Sequence, residues 1–243
     1  MRMGSITTDI VSDGLVFNMD AANRACYTGV GSTTTNTLSS AQSGSIISSP
    51  TFTTEHGGGW VMDGVDDSIL CNFDNFSGHT KFTFSLWFKG NSSDTGRQHI
   101  FSYSKANTGT SGADMITFDL NDGGAEIWIY WEGGGVPRWF KNDMSSLNDD
   151  TVHNLVFTTD TGNHACYLDG SVLSPSLVST GTNVELGPST PATCFVVLGS
   201  VPHGYSYGGP WTGTFYNAHI YGRALSAAEV LHNYNALKSR FGL

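Results

Sequence analysis

Carboxylates, aromatics and histidines set among glycine-rich turns are the residues of this chain with chemistry to offer. Asp63, Asp66 and Asp67 stand close enough in sequence for two or three carboxylates to enter the shell of a calcium ion, with backbone carbonyls completing the six to eight oxygens that ion takes. The same stretch, Asp63-Gly-Val-Asp-Asp, also suits a tight turn in which Asp side chains accept from nearby amides. No further acidic ligand is identifiable by spacing, so the turn reading is favoured and calcium stands as the one cofactor left open. Glu126 and Glu132 bracket Ile-Trp-Ile-Tyr-Trp and are the nearest acidic pair to the two carboxyls, about 5 Å apart, that retaining glycoside hydrolysis requires. They lack an intervening Asp, and Glu132 opens a glycine loop, so no catalytic residue is assigned. Of the eight histidines, none pairs at i, i+4 on a helix or joins a recognisable Ser/Asp array, and His219 reads as a satisfied polar residue of a strand.

Binding is better served than catalysis. Trp131, Trp139, Tyr205, Tyr207 and Trp211 sit in or beside glycine-rich loops, where flat rings could stack on sugars while Asn and Asp bond hydroxyls. Cores and protein interfaces draw on the same residue types, so glycan contact and partner contact both stand open. Cys26, Cys71, Cys166 and Cys194 are scattered without metal-ligand spacing, which predicts buried thiols rather than a zinc site or disulfides.

These residues need a scaffold, and composition says which kind. Thirty glycines among 243 residues and a charged fraction of only 13% describe short strands and many turns within one large all-β domain. The formal charge of −10 excludes broad binding to a nucleic-acid backbone, which needs a concentrated basic surface. No apolar run follows Arg2, so neither a signal peptide nor a membrane anchor is expected, and the chain is expected to fold in a cytoplasm.

In chain order, residues 1–12 are expected to form an arm that pairs with the sheet or docks on a partner. Leu15, Phe17 and Met19 alternate with Val16 and Asn18 in a first strand. From Thr28 to Thr54 large apolar residues are nearly absent, which predicts a long surface excursion with at most one short strand at Ser45 to Ser48. Lys81 to Lys89 is the clearest strand, with Phe82, Phe84, Leu86 and Phe88 on one face and Trp87 on the other. His99 to Ser104 is a strand, and Met115 to Leu120 and Ala125 to Trp131 form a hairpin across Asn121-Asp-Gly-Gly. Leu155 to Asp160 and Ala165 to Leu173 follow, with an Asp169-Gly170 turn inside the second. Ser174 to Pro191 is a polar loop, Cys194 to Leu198 an apolar strand and Gly199 to Gly209 another loop. Thr214 to Tyr221 is the closing strand, with Tyr216, Ala218 and Ile220 predicted on one side and Phe215, Asn217 and His219 on the other. Ser226 and Glu229 form a capping box, Leu225 and Val230 a hydrophobic staple, and Val230, Tyr234 and Leu237 one face of a closing helix that ends near Lys238, Arg240 and Gly242.

Ile220-Tyr-Gly-Arg-Ala-Leu-Ser followed by Ala-Ala-Glu-Val resembles the closing segment of laminin G-like, concanavalin A-like jelly-roll domains. Asp63-Gly-Val-Asp-Asp-Ser-Ile-Leu, and Leu155-Val-Phe-Thr-Thr-Asp with Ala165-Cys-Tyr-Leu-Asp-Gly, are similar to the strand-turn-strand elements of that family. The tail from Asn233 to Leu243, with Gly14-Leu-Val-Phe-Asn-Met-Asp-Ala-Ala-Asn at the front, resembles concanavalin A-like virion proteins of T4-like marine and cyanobacterial tailed phages. The resemblance runs from about Val11 to Leu243. It implies an antiparallel jelly-roll β-sandwich over residues 13–243, with a short carboxy-terminal helix and a first strand beside the closing one. It further implies a non-enzymatic virion accessory protein, a capsid decoration or tail-associated component, with other virion proteins as partners, a lectin-like surface for cell-surface glycans and a possible homo-oligomer. The Glu-x-Asp-x-x-Glu arrangement of the related glucanases is absent.

Overall fold

Alternating apolar residues dictate most of the strands, and the computed structural model assembles them into two packed sheets. It describes residues 10–73, 79–104, 115–121, 124, 126–133, 136–143, 146–161, 163–173, 176–177, 194–200 and 209–243, with backbone only at residues 40, 130–133, 136–143 and 176–177. The strands run in chain order as β1 (Leu15–Asp20), β2 (Thr33–Asn36), β3 (Ser39–Ile47), β4 (Thr51–Thr53), β5 (Gly59–Asp63), β6 (Ser68–Phe73), β7 (Lys81–Gly90), β8 (Gln98–Ser104) and β9 (Met115–Asn121). They continue as β10 (Glu126–Gly133), β11 (Val136–Asp143), β12 (Val152–Asp160), β13 (Asn163–Leu168), β14 (Ser171–Leu173), β15 (Ser176–Leu177), β16 (Cys194–Leu198), β17 (Gly209–Pro210) and β18 (Thr212–Tyr221). Helix α1 spans Ala227–Lys238.

The eight-stranded sheet is ordered β14-β13-β12-β7-β18-β5-β4 with β1 also on β18, and the ten-stranded sheet β15-β11-β10-β9-β8-β16-β6-β3-β2 with β17 on β8. All pairings are antiparallel except β17 with β8. Between the sheets lies one apolar core, in which Phe84 of β7 meets Phe101 and Phe118 of the other sheet at ring-centroid distances of 5.1 and 5.7 Å. Phe82, Phe84, Leu86 and Phe88 all point into it, as the alternation of β7 requires. All four cysteines are buried and free, behaving as small apolar residues. Burial is the main cause that raises the thiols of Cys71 and Cys166 well above the ordinary range, with Cys26 adding to the shift of Cys71.

The outer side of the eight-stranded sheet is closed by the carboxy-terminal segment. Ser226 and Glu229 form the capping box, and Leu225 and Val230 pack with Val156, Tyr167 and Tyr221. Trp87 takes Tyr234 and Phe241 in stacked contact at 5.6 and 4.5 Å. Arg240 then clamps the tail to the body: its Nη1 donates to both oxygens of Asp20, its Nε to the His56 carbonyl and its Nη2 to the Gly58 carbonyl. Among the described residues, no helix is long and apolar enough to cross a membrane.

Three expectations change. A bulge between Phe215 and Asn217 breaks the simple alternation of β18, so that Phe215, Ala218 and Ile220 face the core while Tyr216 and Tyr221 face the helix. Residues 28–54 hold three strands instead of at most one, because small and polar side chains suffice there: Thr34, Asn36 and Gln42 are buried, and Asn36 bonds the Asn18 amide and the Gln42 side chain. The described end of the arm, residues 10–12, docks on the protein's own helix, with the Val11 amide donating to Asn233 Oδ1 at 2.8 Å.

Candidate ligand-binding face

On the ten-stranded sheet, core-facing and outward-facing residues separate cleanly. Phe101 stands opposite Phe118 and Phe118 opposite Ile129, all three in the core. The intervening rows are polar: Ser102 stands opposite Thr117, and His99 opposite Asp119, which is opposite Trp128. A bulge between His99 and Phe101 makes this possible. In a regular, unbulged strand His99 and Phe101, two residues apart, would share a face.

Asp119 is wholly buried, which is costly for a carboxylate unless it is paired. Its two oxygens take Arg97 Nη2 and His99 Nδ1, each at 2.5 Å. Beside this cluster the half-buried indole of Trp128 donates through Nε1 to Glu126 Oε2 at 2.7 Å, and Asn121 Nδ2 donates to the same oxygen at 2.9 Å. Ser102, Ser104 and Thr117 line the adjoining rows, and the buried Thr117 hydroxyl has no hydrogen-bond partner among the described residues. The result is a sheltered polar face with an aromatic ring held in place by a carboxylate.

Trp211 does not belong to this face, contrary to the sequence reading. It is fully buried in the core, edge-on to Phe88 and Phe215, and the absence of a side chain at Gly213 leaves room for its ring. A ring with no exposed surface cannot stack on a sugar. Tyr205 and Tyr207 lie outside the described residues. Trp131 and Trp139 are placed by backbone alone, in different cross-strand rows: Trp131 opposite Ile116, Trp139 opposite Tyr130 in the row of Thr117. Glu126 and Glu132 are six residues apart on β10, about 20 Å along a strand, far beyond the about 5 Å that retaining hydrolysis requires.

Asp63, Asp66 and Asp67 do come together, with ligand-capable oxygens within 4.8 Å of one another. Their hydrogen bonds are those of the turn: Asp63 Oδ1 accepts from the amides of Val65 and Asp66, and Asp67 Oδ2 from the amide of Asp63. Burial, with Asp63 and Asp66 as neighbouring charges, raises the Asp67 carboxyl above its ordinary value, against the bond from the Asp63 amide. His219 lies buried on β18, and burial holds its pKa down at about 4, so it is neutral.

Residues 63–231 match the family model described as the concanavalin A-like lectin/glucanases superfamily. No curated protein matches the chain in sequence. Among solved structures, domain 4 of a Geobacillus stearothermophilus extracellular arabinanase, in complex with arabinotriose, is similar at a TM-score of 0.62 and 16% identity, covering 90% of this chain and 98% of that one. A Trypanosoma rangeli sialidase in complex with sialic acid is similar at a TM-score of 0.63 and 15% identity over 93% of this chain, which spans 33% of the sialidase. The botulinum neurotoxin type G receptor-binding domain gives 0.61 and 13% over 92% of this chain and 51% of that one.

Proposed function

The chain belongs to the concanavalin A-like lectin/glucanase superfamily, and from that premise we propose that it is a non-enzymatic, lectin-like module that binds glycans through the outward side of its ten-stranded sheet. One observation carries this reading. The outer side of the eight-stranded sheet is sealed by the protein's own helix, whereas that of the ten-stranded sheet carries buried rows of serine, threonine and a paired carboxylate beside the half-buried, tethered indole of Trp128. Sugar recognition uses such a combination, an aromatic face for the ring and fixed polar groups for its hydroxyls. The arabinanase domain, nearly all of whose length this chain covers and which was solved with arabinotriose, supports a glycan-binding role for a module of this size. A glycan array probed with the full chain tests it; an array with no ligand for folded protein overturns it.

The sequence resemblance of both chain ends to phage virion proteins supports a setting for that activity. The module is an accessory protein of a tailed-phage particle, where many copies turn weak sugar contacts into firm adhesion. Mass spectrometry of purified particles is expected to find it in stoichiometric amount, and its absence there sinks the virion assignment while leaving glycan binding untouched. Incubation with β-glucans is expected to release no reducing sugar.

A further inference from the structure

The segment that seals the eight-stranded sheet lies on a row of side chains suited to a different occupant. Register places Asn154 of β12, Trp87 of β7, Asn217 of β18 and Asp20 of β1 side by side, and residues paired across antiparallel strands share a face. The segment serves two of them. Tyr234 and Phe241 stack on the Trp87 indole with interplanar angles of 2° and 17°, and Arg240 takes both oxygens of Asp20. Asn217 is left out: it is fully buried, and neither its Oδ1 nor its Nδ2 has a hydrogen-bond partner among the described residues. A buried amide with donor and acceptor both unused is unfavourable, and a ligand that reached it would relieve the cost. The clasp that holds the segment down carries strain of its own. His56 sits at φ +51°, in the left-handed region, and meets Arg240 twice: its carbonyl accepts from Arg240 Nε at 2.6 Å, and its Nδ1 lies 3.1 Å from the Arg240 carbonyl.

We infer that residues 239–243 are a strap over a second, latent saccharide site, in which a sugar ring takes the place of Phe241 on Trp87 and adjacent hydroxyls bond the unused donor and acceptor of Asn217. The chemistry of the row selects that class of ligand. A sugar is apolar on the faces of its ring and hydroxylated at the rim, which an indole face flanked by neutral amides matches, and one amide offers a donor and an acceptor to two neighbouring hydroxyls. Little has to move. Helix α1 ends at Lys238 with Val230 and Leu237 packed on the sheet, whereas the turn Ser239–Phe241 carries both Arg240 and Phe241. Asn217 stands between the residue under Phe241 and the residue under Arg240, so lifting that turn opens the row at Asn217. The site exists only while the strap is up, so its apparent Kd is the intrinsic value divided by the open fraction, and a change that raises that fraction tightens binding by the same factor. This site lies on the opposite side of the sandwich from the face proposed above and does not depend on it.

The test compares the full native chain with its Arg240→Gln variant on one glycan array and by calorimetry with arabinotriose, cellotriose and xylotriose. Asp20→Asn keeps an oxygen for the Ala22 amide while removing the charge that Arg240 holds, so it loosens the strap from the other side and serves where Arg240→Gln folds poorly. The expected result is a saccharide that the loosened protein binds at least about tenfold more tightly than the native one. Adding Trp87→Ala or Asn217→Leu to the loosened variant abolishes that gain. The indole ¹⁵N–¹H resonance of Trp87, identified by its loss in Trp87→Phe, shifts on addition of the same saccharide. In the native protein, the Gly242 and Leu243 amides, which donate to the Ser239 and Lys238 carbonyls, should exchange with solvent while the amides of α1 stay protected. Exchange of the two sets together overturns the strap without recourse to any variant. No gain in a folded loosened variant, a gain that survives both added substitutions, or a Trp87 resonance that stays in place overturns the site. Saccharide binding by the native protein that loosening leaves unchanged sinks this inference and leaves the reading of the ten-stranded face intact.

Discussion

Lowering the pH below neutrality should destabilise this protein through one identifiable group. His219 sits on β18 with 3% of its surface exposed. Burial is the main cause that holds its pKa at about 4, with Asp20 opposing and Arg240 adding to the depression. In the unfolded chain the same ring titrates near 6.5. Below that value the unfolded state takes up a proton that the native state refuses. The stability owed to the neutral ring is therefore complete above about pH 6.5 and is lost progressively as pH falls toward 4. The gap between the two pKa values corresponds to about 3 kcal/mol, a large part of the about 5–15 kcal/mol that holds a domain together. Urea unfolding between pH 7.5 and 4, run on the native protein and on His219→Gln, isolates the effect as the difference between the two pH dependences, since the carboxylates common to both cancel. The variant is expected to lose about 3 kcal/mol less than the native protein over that interval. Equal slopes, or a native His219 ring resonance that titrates near 6.5, would refute the reasoning.

His153 should behave with the opposite sign. Burial lowers its pKa, but the hydrogen bonds and charges of Asp169 and Asp149 outweigh that and raise it, so its contribution is full below about pH 6.5 and lost as pH rises through the folded value; His153→Asn should therefore destabilise more at pH 5.5 than at pH 8 in the same assay. Ser226→Ala removes the hydroxyl that receives the Glu229 amide and should cost about 1 kcal/mol, read as a fall of about 2–4 °C in the melting temperature. Trp211→Ala empties a fully buried site and should cost about 3–5 kcal/mol by chemical denaturation, while glycan affinity of the folded fraction stays unchanged. Calcium and chelator should leave the unfolding midpoint alone, because Asp63 and Asp67 already serve the amides of their own turn; a calcium-dependent rise that Asp67→Asn abolishes would return these carboxylates to metal binding.

Where local pattern decides structure, the sequence was readable. The capping box at Ser226 and Glu229 needs only residues three apart, and the strand carrying Phe82, Phe84, Leu86 and Phe88 only alternation against one core. The Asp169-Gly170 turn follows from two successive residues at positive φ, +49° and +76°, which Asp-Gly supplies. Bulges leave no such trace. That in β18 moves Phe215 into the core and Tyr216 out of it without any change in the run of residue types that would announce it. The strands of residues 28–54 were hidden for a different reason. Gly44 is demanded by the close approach of Cys71 and Thr34, a constraint set by distant chain, and thus a run poor in apolar residues forms sheet all the same.

The candidate face failed to appear in the sequence because its members meet only across strands. Asp119 looks like an isolated charge in Met-Ile-Thr-Phe-Asp-Leu until register sets it between His99 and Trp128, and its burial makes sense only once Arg97 is seen to reach it. One signal was available: on β10, Ile127 and Ile129 alternate with Trp128, which marks that tryptophan as outward on the hairpin that was predicted. For Trp211, proximity to a glycine loop was the wrong criterion. A glycine beside an aromatic can make room for the ring in the core as readily as it can shape a binding loop, and at Gly213 it does the former. Strand parity, which says which side of a sheet a ring must occupy, marks Trp128 as outward, whereas Trp211 lies between β17 and β18 and is settled by its burial alone. A search for sugar-stacking residues in other chains of this fold should therefore weigh outward parity on the sheet left uncovered by the helix above nearness to glycine.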